Sequence, residues 1–454
     1  MAEFVTADRK TAFLLPPSME DWLKEDHLAR FIVEVVDQLD LSNLTRQYAG
    51  RGSKAHHPAT LLAILVYGYA TGIFSSRKLE RATYDSVAFR FIAAGTHPDH
   101  DTLATFRRRF IDELQALFVQ VLELAKEMKL LKLGTVCLDG TKIHANASRH
   151  SALSNGHIEK LEVQLKAEVG ELFALAESAD QANVPDGVSL PEEIKRRQDR
   201  LEVMAAAKTK IAARAAERHE RETREYEQKM AARADKQERT GKKPGGTPPQ
   251  APQPGPRASD QINLTDEESR VMPVAGGGFE QAYNAQAAVD ASTMLVVGTG
   301  VSQAPNDKEQ IAPMLQTLQA QPQTCDDVQC LLADTGFYSE KNIQACEAAS
   351  IDALIAVARD EHHPGWRERH SEPEALPENA TTAQKMAHKL KTQVGRAMYA
   401  LRKQTVEPVF GIIKSVMGFR QFSMRGLNKV RGEWSLVCMA WNLKRMAVLR
   451  PKFG

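Results

Sequence analysis

The stretch LGTVCLDGTKIHANAS, residues 133–148, decides how the rest of the chain is interpreted. Residues 135–143 have the apolar content of a buried strand, but Asp139 interrupts them and Gly140 follows it. A carboxylate within a buried strand is unfavourable unless it binds a metal ion or a charged partner. The stretch therefore predicts a core strand that carries a functional acid.

The segments after residue 278 predict strands and helices in alternation. FEQAYNAQAAVD and TMLVVGTGVS predict two strands, and NDKEQIAPMLQTLQAQ predicts a helix with Asn306 or Asp307 as its cap. DVQCLLADTGFYS predicts a strand that ends at Asp334, followed by the helix SEKNIQACEAAS and the strand IDALIAV. Together with the strand at residues 135–143, these segments make three strands in succession, followed by strands that alternate with helices. This order is typical of an RNase H-like domain. The predicted fold class is α/β, with a mixed sheet split by a long helical insertion and preceded by an all-α domain.

The first 130 residues predict a helical DNA-binding domain. Residues 19–48 have the apolar spacing of one amphipathic helix, and HHPATLLAILVYGYATGIF predicts a second helix with Pro58 near its start. In HPDHDTLATFRRRF, Asp101 is placed to cap a helix that leaves three arginines to solvent or phosphate: Arg107, Arg108 and Arg109. Short helices that end in an arginine-rich one suit a helix-turn-helix-like module, although short bundles that do not bind DNA are common.

Residues 157–240 predict a long, exposed helical insertion, because both charge signs are interleaved and large apolar residues become few. The insertion ends in GKKPGGTPPQAPQPGPR, where ten of 17 residues are Pro or Gly, and this composition predicts a flexible linker. The predicted domains are residues 1–130, helical and DNA-binding; 131–156, the first strand region of the catalytic domain; 157–262, the insertion with its linker; and 263–454, the rest of the catalytic domain with basic C-terminal helices.

The C-terminal region is strongly basic. From residue 385 onward there are 15 Lys or Arg and only two acids, Glu407 and Glu433, although the formal net charge of the whole chain is +1. A basic block on a nearly neutral protein indicates a polyanion partner, with a solvated cationic helix as the alternative. Glu407 lies in VEPVFGIIK, where Pro408 suits the first turn of a helix.

Asp139, Asp334 and Glu407 together suit phosphodiester chemistry. Two Mg²⁺ ions about 4 Å apart, held by carboxylates, neutralise charge on the attacking and leaving oxygens. Each acid alone has an ordinary structural explanation: a turn residue, a strand-end cap, or an acid at a helix N-terminus. Their joint occurrence in the right elements and order favours a metal site.

Composition argues against secreted and membrane proteins. The five cysteines show no CxxC spacing and MAEFVTADRK lacks an apolar signal region, so free thiols in a reducing cytoplasm are expected. The longest apolar run, ATLLAILVYGYATGIF, is too short to span a bilayer and predicts a buried helix.

The chain resembles the DDE transposases of bacterial insertion sequences. The resemblance covers most of the chain and is carried by HPATLLAILVYGYATGIFSSRKLE, LDGTKIHANAS, GGFEQAYNAQAAVD, PNDKEQ, LLADTGFYS and VEPVFGIIK. It implies that Asp139, Asp334 and Glu407 are the catalytic, metal-binding triad. It also implies that Asp139 bridges two Mg²⁺ ions, for which Mn²⁺ can substitute.

Related transposases carry a signature Tyr-x2-Arg-x3-Glu-x6-Lys, which Tyr399, Glu407 and Lys414 resemble. The Glu-to-Lys spacing agrees, but Arg402 lies one residue too far from Glu407, and Lys403 fits the interval instead. Tyr399 and either cation are therefore candidate DNA contacts. Lys414 is expected to share a helical face with Glu407 and to contact the DNA end.

The resemblance implies a transposase that binds the terminal inverted repeats of its element, cleaves the ends and joins 3′-OH ends to target DNA. Four basic residues would follow the DNA phosphates: Arg420, Arg425, Lys429 and Arg431. Trp434 and Trp441 could stack on a displaced base, but packing in the core is favoured. The expected partner is double-stranded DNA at the bacterial nucleoid, bound by at least a homodimer that pairs two ends. A metal-dependent nuclease of the same fold and a catalytically inert DNA-binding protein are the alternatives.

Overall fold

The computed structural model describes residues 18–48, 55–148, 151–177, 189–243, 245–274, 276–321, 325, 327–358 and 371–450. By packing, the chain forms two compact units: residues 1–146 with 271–454, and residues 147–270. The second unit is therefore a single insertion into the first.

Eight strands lie in the described residues. They are β1 (Thr135–His144), β2 (Ala152–Ser154), β3 (Gln261–Asn263), β4 (Arg270–Pro273), β5 (Phe279–Asp290), β6 (Val296–Ser302), β7 (Cys330–Ala333) and β8 (Asp352–Ile355). β1 lies at the centre of a mixed sheet, with β5 antiparallel on one side and β7, then β8, parallel on the other. β6 pairs with β5 in antiparallel fashion, and β4 also joins β5. The order β6-β5-β1-β7-β8 is that of an RNase H-like fold, as predicted.

Fourteen α-helices lie in the same described ranges. They are α1 (Leu28–Val36), α2 (Ser42–Thr45), α3 (Pro58–Thr71), α4 (Ser76–Asp85), α5 (Val87–Ile92), α6 (His100–Arg109), α7 (Glu113–Glu127), α8 (Asn155–Glu177), α9 (Leu190–Thr240), α10 (Ile311–Gln319), α11 (Glu340–Ala348), α12 (Thr382–Lys391), α13 (Gln393–Gly411) and α14 (Leu427–Leu449). Two 3₁₀ turns, Met19–Trp22 and Thr335–Phe337, and a π-helical turn, Ile412–Val416, accompany them.

The N-terminal helices follow the apolar spacing but have more breaks than predicted. α3 begins at Pro58, whose missing N–H is tolerated at the first helical position. The single helix predicted over residues 19–48 is wrong, because polar side chains start new helices within it. His27 Nδ1 accepts a hydrogen bond from Ala29 N at 3.1 Å at the start of α1. Asp40 Oδ1 accepts one from Ser42 N at 2.9 Å at the start of α2.

Two predicted helix caps are in the wrong place. Asp99, not Asp101, caps α6, because its extended backbone lets Oδ1 accept the backbone N–H three residues on at 2.6 Å. Neither Asn306 nor Asp307 caps α10, which begins at Ile311 without a side-chain cap. The Asp307 carboxylate instead accepts hydrogen bonds from side chains of β5.

Glu407 lies within α13 rather than at the start of a helix. The prediction that Pro408 opens a helix is wrong, because α13 begins 15 residues earlier, at Gln393. The π-helical turn Ile412–Val416 follows α13 directly. Its wider turn shifts later residues relative to the α-helical period, so spacing alone does not place Lys414 on the face of Glu407.

α14 packs against β6 and closes part of its outer edge. The side-chain amide of Asn442 bonds both backbone groups of Val296, at 2.8 Å to N and 2.7 Å to O. Arg431 Nε donates to Val301 O at 3.4 Å. Edge strands with free backbone groups can pair with other strands, so these side chains limit such pairing.

Two tryptophans of α14 belong to the core. Trp434 is 0% exposed and Trp441 is 4% exposed. Their indole N–H groups donate to backbone oxygens of Gln286 and Met294, each at 2.9 Å. The expectation of packing rather than base stacking is confirmed.

A buried acid joins α14 to α3 and α6. Glu433 is 0% exposed, and its carboxylate accepts hydrogen bonds from Tyr69 OH at 2.9 Å and from Ser423 N and Met424 N at 3.0 Å. Tyr69 OH in turn accepts from Arg107 Nη1 at 2.9 Å. Arg107 is therefore part of the core, and the prediction that it faces solvent or phosphate is wrong.

The second unit combines the α8–α9 hairpin with the two-stranded sheet β2-β3. Its apolar cluster consists of Leu153, Ile158, Leu165, Met204, Ala207, Ile211 and Ile262. The C-terminal end of the predicted linker, residues 241–257, is attached to α9. Arg257 pairs with Glu222 at 2.9 Å, and Arg218 of α9 pairs with Asp260 at 2.6 Å. The last residue of the predicted linker is thus held by an ion pair, and the next pair follows three residues later.

Two expectations from composition can be compared with the described residues. The five cysteines are buried and free, as expected. Within the described ranges, no helix by itself has the length and apolar content to cross a membrane. The pair α3 and α4 reaches those values only together, with a bend of 96° between the two helices.

Glu433→Ala tests the buried network. It would leave the donors of Tyr69, Ser423 and Met424 without an acceptor in the core, so we expect the free energy of unfolding to fall by about 3 kcal/mol. Urea denaturation measures this change. Glu347→Ala, on the exposed surface of α11, is the control and should stay within about 0.5 kcal/mol of wild type. Equal stability of the two variants would contradict the network.

Candidate active site

Asp139 and Asp334 lie at the same level of two adjacent parallel strands. In the pairing of β1 with β7, Leu138 lies opposite Ala333, and each acid is the next residue of its chain segment. Asp334 also caps the turn that follows β7, with Oδ1 accepting the Gly336 N–H at 2.8 Å. Functional side chains of α/β folds are typically found at such carboxyl ends of parallel strands.

Asp139 is the most perturbed acid of this region. Burial, and then the nearby Asp334 carboxylate, raise the pKa of Asp139 to about 6. Two groups favour its ionised form: Arg402, whose Nη1 lies 3.2 Å from Oδ2, and the Gly140 N–H, 2.8 Å from Oδ1. Because the pKa remains raised, these partners only partly offset burial and the charge of Asp334.

Glu407 is connected to the other acids through Arg402. Arg402 Nη2 lies 3.3 Å from Glu407 Oε1, so one guanidinium bridges Glu407 and Asp139. The Glu407 side chain is 50% exposed, compared with 16% for Asp139. In the part of the chain that the structure describes, no three His, Cys, Asp or Glu side chains are close enough to hold a metal ion as they stand. Asp139 and Asp334 are thus neighbours, whereas Arg402 lies between Asp139 and Glu407.

The chemistry of these acids suits a hard divalent cation. Carboxylate oxygens are the ligands that Mg²⁺ and Mn²⁺ prefer, and a cation near Asp139 and Asp334 would relieve the repulsion between them. Arg402 Nε is buried and has no hydrogen-bond partner among the described residues. The guanidinium is therefore incompletely satisfied where it lies. The three acids fit a divalent metal ion in kind, and Arg402 now provides the positive charge between two of them.

A further acid, Asp307, lies beside Gly140. Its Oδ1 accepts hydrogen bonds from Asn284 Nδ2 at 2.7 Å and Gln286 Nε2 at 2.6 Å. These amides belong to β5 and lie opposite Lys142 and Gly140 of β1. A Cβ at position 140 would collide with Asp307 Oδ1 and Gln286 Nε2. Glycine is required here because the polar side chains converge on the space that a Cβ would fill.

Three cations form a row next to these acids. Lys142 Nζ lies 4.0 Å from Asp307 Oδ1. Lys414 Nζ donates to Lys142 O at 3.0 Å, and Arg420 Nε donates to Lys414 O at 2.9 Å. Burial lowers the pKa of Lys414, and the charges of Lys142 and Arg420 lower it further. Cations that are held close enough to repel one another indicate a surface suited to an anion.

The loop that carries Arg420 and Arg425 is fixed to the end of β1. His144 N donates to Arg420 O at 3.0 Å, and Phe422 N donates to His144 O at 2.9 Å. Arg425 Nε donates to Asn146 O at 3.0 Å. Two of the predicted DNA contacts are therefore attached to the strand that carries the first acid.

The other predicted C-terminal contacts differ in their surroundings. Lys403 and Lys429 are exposed, and Tyr399 is half-buried. Arg431 lies against the edge of β6, where it donates to a backbone oxygen. Of the two candidates left open by the spacing, Arg402 contacts the acids and Lys403 faces solvent.

The three N-terminal arginines also differ. Arg108 and Arg109 are exposed, whereas Arg107 is buried. The Arg109 guanidinium lies over the rings of Tyr48 and Phe110, 5.5 and 5.1 Å from their centroids. Arg108 and Arg109 stay predicted DNA contacts, and Arg107 does not.

Four residues of this region were not predicted: Lys142, Asn284, Gln286 and Asp307. The sequence did contain a signal, because Asn284 and Gln286 alternate in the strand FEQAYNAQAAVD and so share one face. Buried amides require hydrogen-bond partners. Sequence could not identify Asp307 as that partner, since it comes from a connection 21 residues beyond Gln286.

Comparison with known proteins gives two family matches. Residues 17–109 match the family described as a transposase domain (DUF772), and residues 252–443 match the transposase DDE domain. The second match includes Asp334 and Glu407, whereas Asp139 lies outside both matched segments. No curated protein and no solved structure matches the chain.

Asp139→Asn tests the electrostatics of the site. Because the folded-state pKa is raised to about 6, the stability contributed by the protonated carboxyl is present below about pH 4 and lost as the pH rises through 6. Without divalent cations, the variant should therefore be more stable than wild type above about pH 7, by about 2 kcal/mol.

Urea denaturation in EDTA across this pH range measures the difference, which should shrink toward zero near pH 4 as the wild-type carboxyl becomes protonated. Asp37→Asn removes an exposed carboxylate and is the control for general effects of charge. A pH-independent difference between Asp139→Asn and wild type would contradict the raised pKa.

Proposed function

Because the chain belongs to the DDE transposases of insertion sequences, we propose that it acts on the DNA ends of its own element. Membership of this family implies DNA binding and metal-dependent DNA cleavage. We propose further that the protein binds the terminal inverted repeats, cleaves a phosphodiester bond at each end and joins the freed 3′-OH to target DNA.

One observation carries this proposal: two acids lie side by side, Asp139 within β1 and Asp334 directly after β7, next to a row of cations. Asp139 and Asp334 follow a directly paired position of the two strands, and Lys414 reaches the backbone of the strand that carries Asp139. Acids suit divalent cations, and the lysine and arginine side chains suit phosphate. Phosphodiester chemistry needs both kinds of group at one place.

Asp139, Asp334 and Glu407 are the residues proposed to hold divalent metal ions, with Mg²⁺ as the expected ion. When bound, the ions would neutralise charge on the attacking and leaving oxygens of the phosphodiester. For Glu407 to join the other acids, Arg402 must release at least one of its two carboxylate contacts. Once released, its guanidinium is available to a DNA phosphate, so Arg402 rather than Lys403 is proposed as the contact near the acids.

The basic side chains around the acids are proposed to position the DNA. Lys414, Arg420 and Arg425 are each held by a hydrogen bond to a backbone oxygen. Those bonds use one donor of each group, and Arg425 Nη2 also donates to Asn146 Oδ1 at 3.5 Å. Each group therefore keeps further donors for phosphate. Contacts of this kind set the register of the DNA without reading its sequence.

Substitution of the acids tests the proposal. Asp139→Asn, Asp334→Asn and Glu407→Gln should each reduce cleavage of a duplex that carries one terminal repeat by at least about 10³-fold. Each variant should still bind the duplex, because phosphate contacts by cations supply most of the affinity. Single-turnover cleavage with Mg²⁺ and fluorescence anisotropy without it measure the two properties. Glu347→Gln, an exposed residue of α11, should cut at the wild-type rate.

A joining assay separates the proposed function from its alternatives. Incubation of a pre-cleaved terminal-repeat duplex with supercoiled plasmid and Mg²⁺ should give joined products that depend on all three acids. Cleavage with no joined product would identify a hydrolytic nuclease. Wild-type protein that binds the duplex but neither cuts nor joins it would identify an inert DNA-binding protein.

A further inference from the structure

We propose that Lys142 is a further DNA-contact residue of the reaction, whose ammonium binds a phosphate at or next to the cleaved bond, and that Asp307 is its positioning residue. This inference rests on the proposed function, since it assigns a phosphate of the same substrate. Lys142 is not one of the residues that the family signature identifies.

The position of Lys142 in the sheet supports this role. Lys142 is the third residue after Asp139 in β1, and β1 pairs with β7 only from Thr135 to Leu138. From Asp139 onward, β1 therefore continues without a partner strand in β7. Lys414 reaches the backbone oxygen of Lys142 in this part of the strand. Lys142 thus lies where the sheet opens beside the acids.

The ammonium of Lys142 is held but not saturated. Its side chain is 17% exposed, and its ion-pair partner is Asp307, whose Oδ1 lies 4.0 Å from Nζ. In the described part of the chain, the ammonium makes no hydrogen bond within normal distance. A lysine ammonium has three donors, so this largely covered cation retains the capacity to bind an anionic oxygen.

Asp307 is fixed more firmly than the lysine that it attracts. Two buried amides, Asn284 and Gln286, donate to the same oxygen, Oδ1. The carbonyl oxygens of both amides are buried and have no partner among the described residues. Each amide therefore orients Asp307 while its own acceptor stays unpaired, and Asn284 Nδ2 also donates to Ala304 O at 3.2 Å.

The second oxygen of Asp307 lies near Gly336, beside Asp334. A Cβ placed on Gly336 would lie 3.8 Å from Asp307 Oδ2 and 3.0 Å from Asp334 Oδ1. Asp307 Oδ2 and the Asp334 carboxylate thus lie close to the same point beside Gly336, whereas Asp307 Oδ1 lies 4.0 Å from the Lys142 ammonium. An acid in this position keeps a cation close to the reacting bond without itself contacting DNA.

The neighbouring cations indicate which ligand Lys142 meets. Lys142, Lys414 and Arg420 are linked in order by side-chain bonds to backbone oxygens. A DNA backbone presents phosphates in a row, and clusters of Lys and Arg neutralise them. The acids lie at the Lys142 end of this row, so the phosphate that reaches Lys142 is the one nearest the proposed chemistry.

A salt-dependence experiment tests the contact without any catalysis. Binding of a random-sequence duplex to the full-length protein is measured by fluorescence anisotropy without divalent cations. Lys142→Gln should reduce the slope of log K against log salt by about 0.9, the value for one lost phosphate contact. Lys142→Arg should keep the wild-type slope. Lys132→Gln removes an exposed lysine that precedes the first residue of β1, and this variant should also keep the wild-type slope.

Single-turnover cleavage of a terminal-repeat duplex with Mg²⁺ tests the position of the phosphate. Lys142→Gln should cut about 10²-fold more slowly than wild type, whereas Lys142→Arg recovers part of the rate and Lys132→Gln loses none. Neutral methylphosphonates are then placed one at a time around the cut. At the contacted phosphate, neutralisation should slow wild type but cause little further loss in Lys142→Gln, because both changes remove the same interaction.

The positioning role of Asp307 is tested in the same assays. Asp307→Asn retains an oxygen that can accept the amide bonds, but it removes the charge that attracts Lys142. It should slow cleavage, and the double variant with Lys142→Gln should be no slower than Lys142→Gln alone. Losses that multiply in the double variant would show that Asp307 does not act through Lys142.

The outcomes for Lys142 and for the proposed function are distinguishable. If Lys142→Gln has the salt slope and cleavage rate of Lys132→Gln while wild type binds and cuts, Lys142 is not a phosphate contact. If wild type binds DNA but does not cut the terminal repeat, the proposed function fails, and the slope comparison still decides the contact. Thermal unfolding of each variant shows whether a lost rate reflects a lost fold.

Discussion

Asp139 is placed in the central strand of the sheet, where burial and a second carboxylate make its ionised form unfavourable. Burial and the Asp334 carboxylate raise its pKa to about 6, which indicates that the surrounding groups do not fully neutralise it. Arg402 and the Gly140 N–H supply part of what is required. The rest of the unit is arranged around this constraint: the neighbouring strands bring further acids, and the segments after α13 bring cations.

The same strand connects distant parts of the chain. β5 lies on one side of β1 and supplies the amides that hold Asp307, while β7 lies on the other side and ends at Asp334. Beyond residue 144, the loop with Arg420 and Arg425 is bonded to the end of β1. That loop also donates to buried Glu433, which connects it to α3 and α6. Acids, cations and the N-terminal helices therefore share one continuous hydrogen-bonded framework.

The sequence predicted the features that depend on local pattern. β1, β5 and β7 were recognised from apolar runs, and the RNase H-like fold class followed from the succession of elements. The neighbouring positions of Asp139 and Asp334 fit the same argument, because Asp139 lies within β1 and Asp334 directly follows β7, its parallel neighbour. This part of the candidate site needed no knowledge of side-chain packing.

The sequence could not predict what depends on tertiary contacts. Three consecutive arginines look alike in sequence, but α6 turns Arg107 to the face of Leu103, four residues earlier, and hence toward the core. The position of Glu407 depends on a helix that began at Gln393 and on a guanidinium inserted between two acids. Asp307 resembled a helix cap, because aspartate near the start of a helix commonly caps it. Its hydrogen-bond partners, Asn284 and Gln286, instead lie on β5.

The insertion between β1 and β5 also constrains the order in which the molecule can fold. The first unit is interrupted after residue 146 and continues at residue 271. β1 can therefore pair with β5 only after the whole insertion has been synthesised. Closing a long loop has an entropic penalty that rises slowly with length, and contacts between residues far apart in sequence slow folding. A nascent chain that ends within the insertion contains the first acid but neither strand that flanks it. During synthesis, the three acids can therefore be assembled only after Glu407 has emerged from the ribosome.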